Sequence, residues 1–138
     1  MVVMWLVLGF ISLALIYNAY RNLQRRKKVR LDLVKGREPL DYSLLFQDHF
    51  SRFSASQDYV QFIWNEVAKA LKVDPILLRP EDPLEIFAAH NFCHNSLEDL
   101  EYLLNNQLPK GDLEDELYFP TVGDFVTFMA KNAAKRER

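Results

Sequence analysis

The chain has 138 residues with 17 lysines and arginines, 19 carboxylates and a single cysteine, a length that holds one domain plus an added segment. One cysteine excludes an internal disulfide framework, so packing must hold the fold. The formal charge of -2 hides a segregation: residues 21–37 carry a net +7, residues 38–130 a net -12, and the end is basic again with Lys131, Lys135, Arg136 and Arg138 around Glu137. An acidic domain repels nucleic acid and attracts basic protein surfaces, which argues against DNA or RNA binding.

Residues 1–20 contain no charged side chain. At about 1.5 Å per residue, a helix over them reaches the roughly 30 Å of a hydrocarbon core. Tyr17 and Tyr20 stand where interfacial aromatics sit, just before the basic run. A cleaved signal peptide is the competing expectation. Against it, the apolar run starts at once, no basic segment precedes it, and no small-x-small site precedes the arginines. The sequence therefore predicts a retained transmembrane anchor at 1–20. The flanking cations all follow it, which predicts an outside N-terminus and a cytoplasmic domain, most simply at a bacterial inner membrane. Residues 21–30 can hold anionic lipid at about 1 kcal/mol per basic residue; a plain stop-transfer flank accounts for them equally.

Residues 21–56 read as a basic juxtamembrane linker with one short amphipathic helix, opened by Asp41 or Ser43 and carrying Leu44, Leu45, Phe46, Phe50 and Phe53. Asp58 is the expected N-cap of a helix reaching Lys72, with Tyr59, Val60, Ile63, Trp64, Val67, Ala68 and Leu71 as its apolar stripe. Phe62 and Trp64 are both expected in the core. Pro75 closes that helix from beyond its end. A connection over 75–95 follows, too apolar at Ile76, Leu77, Leu78, Leu84, Ile86 and Phe87 to be fully solvated. A loop of such length calls for local structure or a function.

Cys93-His94-Asn95-Ser96-Leu97-Glu98-Asp99-Leu100-Glu101 reads as a loop entering a capped acidic helix. Ser96 as N-cap and Asp99 three residues on approximate a capping box. Leu97, Leu100, Leu103, Leu104 and Leu108 mark the inner face, with Glu98, Asp99 and Glu101 outward. Pro109-Lys110-Gly111 ends the helix, an acidic link runs from Asp112 to Glu116, and Thr121 with Asp124 opens a last helix that buries Phe125, Val126 and Met129. No stretch reads as a strand, so the fold class is all-α.

Taken in order, Leu71-Lys72-Val73-Asp74-Pro75, Arg79-Pro80-Glu81-Asp82, Asn95-Ser96-Leu97 and Thr121-Val122-Gly123-Asp124 resemble the acyl carrier protein family, from about Asp58 to Met129. The resemblance implies a bundle of three to four helices after the transmembrane helix. It also implies that Ser96 bears 4′-phosphopantetheine carrying an acyl or aminoacyl chain. In such carriers the acidic second helix docks basic surfaces of acyl-transfer or synthase enzymes. The matching positions are Leu97, Glu98, Asp99, Glu101 and Leu104. The family's Asp-Ser-Leu motif is Asn-Ser-Leu in this chain, because Asn95 replaces the aspartate.

His90, Cys93 and His94 give three metal-capable side chains without a fourth, short of a closed tetrahedral site. A Cys93 nucleophile paired with either histidine would need a geometry that sequence neighbours rarely reach. No Gly-rich phosphate loop, GxSxG elbow or HExxH helix is present. The sequence thus leads to a non-catalytic chain without a metal. Its parts are an anchor (1–20), a linker (21–56), an acyl-carrier-like domain (57–131) and a basic tail (132–138). The domain either presents a Ser96-linked arm or, unmodified, acts as a membrane-tethered interaction module.

Overall fold

The computed structural model describes residues 1–53, 55–87, 96–108 and 118–136, and every regular element among them is helical. Helix α1 spans Val2–Val34, and α2 spans Tyr42–Leu45 and runs on into a π-helical turn, Phe46–Phe50. Helix α3 is Gln57–Leu71, α4 Leu84–Phe87, α5 Ser96–Gln107 and α6 Val122–Arg136.

Helix α1 has a mean hydropathy of 2.1 over its most apolar 18 residues, none of them covered by the rest of the chain, and is long and apolar enough to cross a bilayer. It does not stop at the arginines. The basic stretch expected as a linker is helical as far as Val34, because Arg, Lys, Leu and Gln are all good helix formers and no Gly or Pro intervenes before Gly36. Leu23, Arg30 and Val34 are partly covered, and α1 packs against α4. The Arg30 guanidinium donates to the carbonyl of Leu71 at 3.3 Å. Gly36, at φ +77°, then turns the chain back.

Asp41 is the cap of α2, its carboxylate accepting from the Ser43 N–H at 3.0 Å. The π turn explains why an α-helical stripe fits this segment poorly. Leu45 and Phe50 are buried while Leu44 is exposed, and a five-residue spacing returns to the same side only where the helix widens, as the Ser51 N–H to Phe46 carbonyl bond of 2.8 Å marks. Helix α3 starts one residue before the expected cap. Ser56 caps it, accepting from the Tyr59 N–H at 3.2 Å, and Asp58 sits in the first turn instead. Its stripe of Val60, Ile63, Trp64, Val67, Ala68 and Leu71 is buried as the spacing predicts, but Phe62 is exposed. The helix ends in a Schellman arrangement with Lys72 left-handed at φ 55°. No glycine announces that end, and the cost of about 1 kcal/mol for a side chain in this region is offset by the satisfied carbonyls.

The apolar connection after Pro75 is locally structured. The Trp64 indole donates to the Pro75 carbonyl at 3.0 Å, and the Leu40 N–H reaches the Ile76 carbonyl at 2.8 Å. Asp82 is buried, accepting two bonds of 2.7 Å from Arg37 and one of 2.8 Å from the Arg79 N–H. That carboxylate raises the pKa of Arg37 further above its ordinary value, chiefly through the hydrogen bond. Pro83 pairs with Thr121 in an isolated antiparallel bridge, flanked by the Val122 N–H to Asp82 carbonyl bond of 2.9 Å. Thr121 and Asp124 form the expected reciprocal cap. The Asp124 N–H donates to Thr121 Oγ1 at 3.1 Å, and the Thr121 N–H donates to Asp124 Oδ2 at 3.2 Å. One core joins these pieces, with Phe50, Trp64, Leu71, Leu78, Phe125 and Met129 at its centre.

Two stability predictions follow. The Gly123 N–H bonds the Pro80 carbonyl at 2.7 Å, and a Cβ there would lie 2.9 Å from that oxygen. Gly123→Ala should therefore destabilise by about 1–3 kcal/mol, read as a lower thermal midpoint. The Tyr42 hydroxyl is buried with no hydrogen-bond partner among the described residues. Burial first, then the charge of Asp58, pushes its phenol well above the ordinary value. The fold thus favours the neutral phenol. Its contribution is complete below the unfolded value near 10 and falls away as pH rises toward the folded one. Tyr42→Phe should add about 1 kcal/mol near neutral pH and remove that part of the alkaline loss, measured by urea unfolding at about pH 7 and about pH 11.

Candidate functional site

Helix α5 begins where α3 ends. Leu100, Leu103, Leu104 and Leu108 give it an apolar face that closes on the core, with α3 and α6 as its packing partners. Its exposed surface is the candidate site. Glu98, Asp99 and Glu101 are all exposed there, joined by Leu97 at 56% and Tyr102 at 70%. Glu98 and Asp99 lie in the first turn, where the unpaired N–H groups and the helix dipole favour negative charge.

One assignment changes in the folded chain. Leu97, expected on the inner face, is exposed, which is compatible with the docking role implied for it. Leu104, expected both on the inner face and among the docking positions, is 9% exposed, belongs to the core and lines the cleft between α4, α5 and α6. Four positions from Leu100, it shares that residue's inner stripe; Leu97, seven from Leu104, lies at the edge of the stripe, where coverage ends.

Ser96 is the first residue of α5 and has no exposure. Its Oγ donates to the Ala70 carbonyl in the last turn of α3 at 2.7 Å. The hydroxyl thus links two helices, a role beyond the cap its sequence position suggests. A phosphate ester at this oxygen would take the place of that hydrogen bond. Asn95, which replaces the family's aspartate, lies outside the described residues, as do His90, Cys93 and His94. Among the described residues no three His, Cys, Asp or Glu side chains cluster as a metal would require.

Beside the acidic face lies a cleft of about 560 Å³ between α4, α5 and α6. Leu84, Leu97, Leu100, Phe119 and Tyr118 supply apolar walls, and Glu85 and Glu101 the charge, with no lysine or arginine among the described lining residues. Phe119 packs edge-on with Phe125 and tilted against Phe128, with ring centroids 5.2 Å apart in each pair. Sequence periodicity could not find these aromatics, because they precede α6. The one signal was the apolar Tyr118-Phe119 pair before Pro120 at the end of an acidic link. A second groove, between α3 and α5, is flanked by exposed Phe62 and Tyr102 and carries both signs of charge in Glu66, Asp99, Lys69 and Lys72.

Compared with protein-family models, with curated proteins and with solved structures, the chain shows no significant match.

Ser96→Ala removes a buried hydrogen bond without adding bulk. It should lower stability by about 1 kcal/mol while leaving the helical circular dichroism unchanged, checked by chemical denaturation.

Proposed function

We propose that this is a single-pass membrane protein whose acidic helical domain docks a basic protein surface through the outer face of α5, without catalysing a reaction itself. One observation carries the proposal. The hydroxyl that opens α5 is engaged inside the fold with Ala70, whereas Leu97, Glu98, Asp99 and Glu101 face outward on the same helix. Acidic residues around an exposed leucine and tyrosine form a surface that a partner with lysines or arginines around an apolar contact would complement.

The anchor and its setting support this reading. Residues 1–20 would sit in the bilayer with the N-terminus outside, and the basic stretch 21–30 would meet anionic head groups on the cytoplasmic side. The order of α3, α5 and α6 and the Thr121–Asp124 cap favour an acyl-carrier-like bundle as the type of domain. A carrier of 4′-phosphopantetheine on Ser96 is the second reading, favoured by the position of Ser96 at the start of an acidic helix. It requires the first turn of α5 to leave Ala70 before modification.

Two measurements separate the readings. Co-expression with a phosphopantetheinyl transferase should leave the intact mass of the full-length protein unchanged; a gain of one arm that disappears in Ser96→Ala establishes the carrier instead. A photocrosslinker at position 97 should give adducts in the host membrane that are lost in the triple variant E98K/D99K/E101K. Adducts that persist through the reversal count against docking by charge.

A further inference from the structure

The start of α5 is tied to the membrane helix through the end of α3. Arg30 lies ten residues beyond Tyr20 on continuous helix α1, about 15 Å further along the axis. Its guanidinium holds the Leu71 carbonyl, and the neighbouring Ala70 carbonyl holds Ser96. These two bonds tie the first turn of α5, beside the cleft, to Arg30 on α1 through the end of α3.

Helix α1 turns Leu23, Arg30 and Val34 toward its own domain, where they are partly covered. About a quarter turn around the same helix, Arg25, Arg26, Val29 and Leu33 are exposed along one stripe. Two guanidinium groups thus lie on the membrane side of two apolar side chains. The cleft offers the complement, with Leu84, Leu97, Leu100 and Phe119 as apolar walls, Glu85 and Glu101 in its lining, and Glu98 nearby on α5.

We propose that the cleft is filled by α1 of a second copy of this chain. Val29 and Leu33 of one copy enter the cleft of its neighbour, Arg25 and Arg26 meet Glu98 and Glu101, and the same contact is returned across a twofold axis. The proposal rests on α5 as a docking face and names its partner. Charge is the decisive argument. The chain carries both halves of the contact, a basic and apolar stripe on α1 and an acidic-rimmed apolar cleft, and copies anchored in one bilayer present both on the same side of the membrane. The stripe is distinct from the one α1 uses on its own domain, so each copy can make both contacts at once. Confinement to one membrane raises the effective concentration of the partner, and the reciprocal contact closes the assembly at two copies.

The test uses full-length protein carrying donor or acceptor fluorophores at the C-terminus, in phosphatidylcholine vesicles without anionic lipid. Energy transfer should exceed that of randomly distributed copies. It should fall in E98K/E101K and in R25E/R26E, with association weakened about tenfold as several exposed pairs turn repulsive. Mixing donor-labelled E98K/E101K with acceptor-labelled R25E/R26E should restore transfer, because every reversed position then faces an opposite charge. V29S/L33S, which leaves the charges intact, should weaken transfer as well. Transfer no greater than random in the wild type, insensitivity to either reversal, or no recovery in the mixture would overturn the proposal. If copies fail to associate while E98K/D99K/E101K still abolishes crosslinks from position 97, the docking face stands and its partner is another protein. If the reversal changes neither readout, the docking face itself falls.

Discussion

A carboxylate as buried as Asp82, at 3% exposure, is stable only if its charge is matched and its oxygens are hydrogen-bonded. Arg37 supplies the matching charge in a two-pronged contact, and the Arg79 N–H supplies a further bond. The backbone of the same residue accepts from Val122 at the start of α6. Three separated parts of the chain therefore meet at one residue: the turn after α1, the proline-rich connection and the last helix. Arg79 adds to this from the other side, with its guanidinium on the Glu38 and Ile76 carbonyls. The Arg37 guanidinium on the Leu77 carbonyl, the Leu40 N–H on the Ile76 carbonyl and the packing of Leu40 tie residues 36–40 to the connection as well.

What this junction secures is the orientation of the domain relative to α1. A flexible tether would leave that orientation open. Here α1 continues as helix through the cations, Arg30 and Arg37 both grip the domain, and α4 packs alongside. The two arginines answer local carbonyls and a carboxylate, so they are withdrawn from the pool that lipid or a partner could use. Arg25, Arg26, Lys27 and Lys28 remain exposed on α1. Charge segregation in the sequence thus becomes a division of labour along one helix.

The helices were largely legible in advance. The stripes of α3 and α6, the Thr121–Asp124 cap and the outward carboxylates of α5 follow from periods of three and four and from capping chemistry, which are local. The misplacements have specific causes. Ser56 took the cap from Asp58 because either can accept from an N–H two or three residues on, and the choice depends on where the chain enters. Phe62 was assigned to the core for its aromatic character, yet it lies on the side of α3 away from the stripe. The π turn after α2 breaks the period on which stripe reading depends. Lys72 ends α3 in a conformation usually marked by glycine.

By itself the sequence determined the apolar span, the separation of a basic flank from an acidic domain, the all-helical class and the acidic outer face of α5. These are properties of composition and short-range period. Tertiary structure alone decided that the Ser96 hydroxyl turns inward to Ala70, that Leu97 is surface, that Asp82 is buried against Arg37, and that α4, α5 and α6 enclose an acidic-rimmed apolar cleft. Periodicity tells which side of a helix is apolar, but not which other helix will meet it or at what height. A hydroxyl or carboxylate finds its partner 26 or 45 residues away only once the helices have packed.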